Sequence, residues 1–133
     1  MKLDEFTRAY IECALWSSMD ESDENTGGEP LDANYGIDDI APECLAEMQA
    51  DCQDFQQSFG ELFEGREGRA GHDFWLTRNH HGAGFWDGDW RDAVPSGAEW
   101  CDRYKDVGEY LTAASHPYGE VNLYVGDDGK IYC

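Results

Sequence analysis

The chain has 133 residues, with 29 Asp and Glu against nine Lys and Arg, for a formal net charge of -20. That charge repels an anionic leaflet and the phosphates of DNA or RNA, which argues against direct membrane or nucleic-acid binding. With 41% hydrophobic and 14% aromatic residues the chain is too apolar for a disordered acidic tail, and its length suits one domain, residues 1–133, around one core.

The charge is unevenly placed. Residues 1–65 hold 17 acids against Lys2 and Arg8, a net of -15, while residues 66–133 hold 12 acids against seven bases, a net of -5. A fold does not require this, because clustered like charges repel and destabilise the compact state. A cationic partner gives a reason for it. The first half therefore reads as acidic and helical, and the second as aromatic and β-rich.

Leu3, Phe6, Tyr10, Cys13 and Ala14 recur at spacings of three and four, with Ile11, Leu15 and Trp16 broadening the face, which predicts a largely buried helix from Leu3 to Ser17. The acidic run from Asp20 to Pro30 has no periodicity and two glycines, and reads as an exposed loop. After Pro42, which a first helical turn tolerates, Leu45, Met48, Cys52, Phe55, Phe59 and Leu62 form the core stripe of a second helix. Opposite that stripe lie Glu43, Glu47, Asp51, Asp54 and Glu61 with no lysine or arginine among them. Carboxylates three or four apart on a helix cost about 0.2–0.5 kcal/mol per pair, so an uninterrupted ladder needs a reason.

Beyond the glycine-punctuated stretch Glu64–Gly71, the aromatic runs Asp73–Arg78 and Ala83–Asp87 flank Asn79-His80-His81-Gly82 and predict a β-hairpin. Ser96-Gly97-Ala98-Glu99 has capping-box spacing, and Trp100, Tyr104, Val107, Leu111 and Ala114 mark a third helix. Val121–Val125, the turn Gly126–Gly129 and Lys130–Tyr132 read as a second hairpin. The expected fold is α+β, in the order α-α-β-β-α-β-β, with helices packed on one face of a four-strand antiparallel sheet.

The segments Gly71–Asp87 (GHDFWLTRNHHGAGFWD) and Gly119–Tyr132 (GEVNLYVGDDGKIY) resemble small acidic proteins of unassigned role encoded by tailed bacteriophages. The resemblance covers about a quarter of the chain directly and implies no catalytic residues. It implies a setting, the cytosol of an infected bacterium, and a strategy, imitation of DNA to block a host defence enzyme of the restriction or CRISPR type. The N-terminus MKLDEF has neither the basic start nor the apolar core of a signal peptide, which agrees with a cytosolic setting.

Three constellations carry chemistry. The acids come first: 20 net charges match the phosphates of roughly ten base pairs, about one turn of duplex. Glu43, Glu47, Asp51, Asp54 and Glu61, with Asp20, Glu21, Asp23 and Glu24 of the loop, are the candidate partner-binding residues, facing a host protein with a cationic nucleic-acid-binding groove. Second, His72, Asp73, His80 and His81 invite a metal or hydrolytic reading, but their spacing matches no zinc motif. Turn histidines, with Asp73 contacting Arg78, are the plainer account. Asp87-Gly88-Asp89 and Gly126–Gly129 do not meet the EF-hand pattern, and no cofactor or catalytic group is expected. Third, Trp75, Trp86 and Trp90 are an alternative protein-binding surface, because a strand would turn Phe74 and Trp75 to opposite faces. Cys13, Cys44, Cys52, Cys101 and Cys133 include no C-x-x-C pair and read as reduced thiols, Cys133 as an exposed one.

Overall fold

The computed structural model describes residues 3–20, 29–80, 83–87, 90, 103–104 and 106–133. Helix α1 (Glu5–Ser17) starts at Asp4, whose carboxylate accepts the Thr7 N–H at 2.8 Å as an N-cap. Burial acts to raise the Asp4 pKa, but hydrogen bonds from Thr7 and Gln56 outweigh it and hold it below the usual value. Phe6, Tyr10, Ile11, Cys13, Ala14 and Leu15 turn inward as the periodicity predicts. Trp16, expected on the same face, is instead 57% exposed. At the base of the expected loop, β1 (Met19–Asp20) pairs antiparallel with β2 (Glu29–Pro30), so the loop is tied at its foot.

Two 3₁₀ turns lead to α2 (Pro42–Phe59), which buries Cys44, Met48, Cys52 and Phe55. The predicted stripe holds at Met48, Cys52 and Phe55, but Cys44 rather than Leu45 turns fully inward. A 3₁₀ turn (Gly60–Phe63) continues it and buries Phe63.

The predicted first hairpin is not there. Residues 67–78 form α3 (Glu67–Arg78), a helix that buries Ala70, Gly71, Asp73, Phe74, Trp75, Leu76, Thr77 and Arg78. A helix covered on nearly every side loses its polar face, and with it the 3.6-residue signal, so a run such as Phe74-Trp75-Leu76 looks like a strand. The glycines read as a connection have a packing role instead. A Cβ on Gly71 would stand 2.1 Å from the Phe6 carbonyl oxygen, so only glycine lets α3 cross α1 at this depth. That contact outweighs the roughly 1 kcal/mol that glycine costs in a helix interior. Ala83–Asp87 is a turn, not a strand: the Gly84 N–H donates to Asp87 Oδ1 at 2.8 Å, and the Phe85 N–H donates to Thr77 Oγ1 at 3.0 Å.

Helix α4 (Val107–Ser115) begins later than its sequence suggests. Its N-cap is Asp106, which accepts the Glu109 N–H at 2.8 Å, and Tyr104 lies outside the helix. The predicted cap at Ser96–Glu99 and Trp100 lie outside the described residues. The second hairpin forms where expected, as β3 (Tyr124–Val125) antiparallel to β4 (Ile131–Tyr132). Ile131 sits in the core beside Ile40, and its carbonyl accepts the Ala41 N–H at 2.8 Å. The four-strand sheet with helices on one face is therefore replaced, among the described residues, by four α-helices and two separate two-strand pairs. One buried cluster runs from Phe6 to Ile131, with Phe55 and Phe74 stacked at 4.2 Å near its centre.

Arg78, in the last turn of α3, is 2% exposed. Its guanidinium donates to Asp51 Oδ2 at 2.8 Å, the Tyr10 hydroxyl at 3.0 Å, the Gly119 carbonyl at 2.8 Å and the Tyr118 carbonyl at 2.7 Å. It thereby joins α1, α2, α3 and the segment leading to β3. Cys44 and Cys133 form a disulfide with their Cα atoms 5.5 Å apart across 89 residues, which corrects the expectation of reduced thiols at both positions. Seating Ile131 beside Ile40 is what brings the two cysteines together. Cys13 and Cys52 remain free and buried, and Cys101 lies outside the described residues.

Replacing Arg78 by Met removes the donor shared by the Tyr10 hydroxyl, two carbonyls and the partly exposed Asp51, and is expected to cost roughly 2–3 kcal/mol, seen as a lower urea midpoint at unchanged slope. Burial pushes the Cys13 thiol up to about 12 and the Cys52 thiol higher still. Alkylation of the folded, unreduced protein, mapped by mass spectrometry, should therefore leave Cys13, Cys44, Cys52 and Cys133 unmodified. Gentle reduction should release Cys133 to the reagent while Cys13 and Cys52 stay protected; alkylation of Cys133 without reductant would show that the bond is not formed.

Candidate partner-binding surface

Helix α2 sets its carboxylates by turn geometry alone: Glu43, Glu47, Asp51 and Asp54 fall along one line, spaced about 4.5–6 Å in axial rise. They do not share one role. Glu43, Glu47 and Asp54 are exposed, and Glu61 is exposed on the 3₁₀ turn that follows. Asp51 is partly buried and spends its charge on Arg78. Asp54 accepts the Tyr118 hydroxyl at 2.5 Å. Of the loop acids, Asp20 belongs to β1 opposite Glu29, while Glu21, Asp23 and Glu24 lie outside the described residues.

The acidic line continues into the C-terminal segment. A cleft of about 220 Å³ beside α2 is lined by Glu47, Asp51, Tyr10 and, from the C-terminal segment, Glu120 and Asn122. Further along, the Tyr132 hydroxyl donates to Asp128 Oδ2 at 2.6 Å. That bond from Tyr132, with backbone and charge contacts from Lys130, holds the Asp128 carboxyl below its usual range; in return it pushes the Tyr132 phenol up to about 12, with burial, Asp128 and Glu43 adding. Glu43 therefore lies within electrostatic reach of the β3–β4 turn. No signal in the linear sequence links Glu43 to a residue near position 130; the two are brought into electrostatic reach because β4 docks at Ile40.

The surface's other edge is the Tyr118 phenol, whose pKa is raised by burial first, then by its bond to Asp54 and the charges of Asp54 and Asp51, against the opposing pull of Arg78. Among the described residues, no lysine or arginine pairs with Glu43, Glu47, Asp54 or Glu61. The nearby cations point elsewhere. Arg78 is buried, and Arg69 donates to the buried Asp73 carboxylate at 3.1 Å.

The aromatic alternative loses two of its three members. Trp75 is 1% exposed, its indole N–H donating to Ser17 Oγ at 2.7 Å. Trp90 is equally buried, donates to Asp73 Oδ2 at 2.6 Å and lies under the Arg66 guanidinium. Helix α4 closes over it at Gly108, where a Cβ would meet the Phe85 carbonyl oxygen at 2.6 Å. Trp86 remains exposed.

The histidine cluster separates. His72 lies against Trp16 and 3.4 Å from Asp73, whereas His80 stacks on His116 beyond the far end of α3, 4.0 Å from Glu120. Asp73 does not reach Arg78 as expected; its partners are Arg69 and Trp90, and the carboxylate on Arg78 is Asp51. His81 lies outside the described residues. Among the described residues, no three His, Cys, Asp or Glu side chains are grouped to hold a metal ion, and no helix is long and apolar enough to cross a membrane.

Comparison with protein-family models, with curated proteins and with solved structures finds no match to this chain.

The Tyr118 geometry has a pH consequence with a definite sign. A phenol whose folded pKa is raised above 10.0 favours the fold fully below that value, and the contribution is lost as pH rises through the folded pKa. Replacing Asp54 by Asn removes one cause of the shift. Tyrosinate absorbance should then show the Tyr118 phenol ionising at a lower pH than in the parent protein, identified by its absence in Tyr118→Phe.

Proposed function

We propose that this protein is a non-enzymatic inhibitor that occupies the cationic nucleic-acid-binding groove of a host defence protein, in the bacteriophage setting its sequence resemblance implies. The observation that carries this reading is the row Glu43, Glu47, Asp54 and Glu61, exposed and without a basic partner among the described residues. Arg78, the arginine that reaches α2, is engaged by Asp51, so among the described residues the remaining carboxylates of the row face outward without a basic partner. A protein needing only solubility would lose nothing by interspersing lysines at these positions and would relieve the repulsion between neighbouring carboxylates.

The charge density sets a limit on the imitation. Phosphates of one DNA strand recur every 3.4 Å of axis, and with Asp51 tied to Arg78 the α2 row offers one carboxylate per roughly 6–10 Å. The row alone is therefore sparser than a single strand. Glu120 and the Asp127-Asp128 turn supply further charge beside it. Such a surface would steer a cationic groove into contact quickly and release it as salt rises.

The test spares Asp51, because reversing it would also damage the Arg78 contact. A Glu43→Lys, Glu47→Lys, Asp54→Lys variant should keep its helical circular dichroism while losing its partner. Affinity capture from bacterial lysate at low salt, followed by a duplex-DNA binding assay on the captured protein, reads this out. Inhibition of DNA binding by the parent chain and at least tenfold weaker inhibition by the variant is the expected result. Equal inhibition by both would sink the reading. Loss of capture in Trp86→Ala with the triple variant unaffected would instead favour an adaptor built on the exposed Trp86.

A further inference from the structure

Trp16 is a large apolar side chain on the surface. It lies on a helix whose neighbouring apolar residues are buried, yet it is 57% exposed, with its ring centroid 6.3 Å from that of His72 and tilted 32°. It closes one end of a cleft of about 850 Å³ between α1 and α3. On α1, Glu5, Arg8, Glu12 and Trp16 follow at spacings of three and four and so share a face. On α3, Gly68, Arg69 and His72 form the opposite wall, and Asp32 completes the rim. Gly68 brings the α3 backbone close to Glu5, whose Oε1 would lie 3.2 Å from a Cβ at that position.

The charges lining the cleft are not balanced. Arg69 is engaged by the buried Asp73, 3.1 Å from its Nε. Among the described lining residues, that leaves Arg8 to oppose Glu5, Glu12 and Asp32. An indole face flanked by surplus carboxylates suits a cation with a flat, weakly hydrated surface, which describes a guanidinium better than an ammonium. Anionic ligands, including a stacked nucleotide with its phosphate, meet a repelling rim.

We propose that the α1–α3 cleft receives an arginine-bearing segment of the protein partner, with the guanidinium over the Trp16 indole and Glu12, one turn away on the same helix, accepting its N–H groups. This rests on the reading of the chain as a binder of a cationic protein and adds a second, separate contact to the α2 face. The α2 row supplies attraction at a distance; the cleft supplies a contact that depends on the shape of the cation.

The test titrates the full chain with a short arginine-rich peptide, its lysine counterpart, an acidic peptide and oligothymidylate. The readout is the Trp16 indole N–H resonance, assigned through Trp16→Phe. The arginine peptide should shift this resonance saturably and bind more tightly than the lysine peptide. Its affinity should fall at least tenfold in Trp16→Ala and severalfold in Glu12→Gln, both surface changes that leave the unfolding midpoint in place. An unmoved Trp16 resonance, or an equal response to the acidic peptide or oligothymidylate, overturns the proposal. Peptide binding lost in the triple α2 variant but kept in Trp16→Ala overturns the cleft and leaves the acidic-face reading standing. Binding lost in Trp16→Ala but kept in the triple variant supports the cleft and counts against the α2 face. No binding of the arginine peptide by the parent chain overturns the cleft, while the acidic-face reading stands or falls on inhibition of DNA binding by the captured protein.

Discussion

A buried guanidinium organises this molecule. Arg78 enters the core from the C-terminal turn of α3, where the helix dipole already favours a cation, and is met there by Asp51 of α2, the Tyr10 hydroxyl of α1 and two carbonyls of the chain beyond α4. Each partner comes from a different part of the fold, so the positions of α1, α2 and the C-terminal segment are coupled through one side chain. Isolated, such a charge would be expelled from an apolar interior at a cost of several kcal/mol. The planar fork of the arginine is what lets one group satisfy several fixed acceptors at once. The faces of Phe74 and Tyr118 lie 5.4 and 5.7 Å from it and complete its enclosure.

This constraint divides the acidic residues into two populations that look identical in the sequence. Asp51 and Asp73 work inward, one against Arg78, the other against Arg69 and the Trp90 indole. Glu43, Glu47 and Glu61 work outward, and Asp54 does both through Tyr118. A ladder of carboxylates at spacings of three and four was legible because helix geometry alone puts them in line. Which rung would be tied down was not legible, since the arginine that does it lies 27 residues further along the chain.

The same division explains where reading the sequence succeeded. Helices α1 and α2 border solvent on one side, so their apolar and polar faces alternate and their periodicity is plain. The β3–β4 hairpin carries its own turn chemistry in Gly126-Asp127-Asp128-Gly129 and needs no tertiary knowledge to be recognised. Helix α3 has neighbours on nearly every side, so its pattern is flat, and its glycines mark an approach between helices rather than a break. The Asn79-His80 corner that suggested a hairpin turn is the helix's own exit. Trp16 is the converse case: read as broadening the core stripe, it shares its face with Glu5, Arg8 and Glu12 and stands 57% exposed. Neither the Cys44–Cys133 pairing nor the approach of Glu43 to the β4 end could be read, because both depend on where Ile131 docks.

The disulfide makes the chain topologically unequal along its length. Residues 44–133 form a covalent ring that holds α2, α3, α4 and the hairpin, while the residues before Cys44 form an open arm that carries α1. The aromatic core needs both parts, since Phe6 and Tyr10 of the arm pack on Phe55, Phe63, Phe74 and Trp75 of the ring. When the molecule unfolds, the closed loop has fewer conformations open to it than a free chain of the same length, while the arm disperses without that restriction. Refolding therefore returns α1 to a seat that is complete only once it arrives, and Gly71 sets the depth to which it enters.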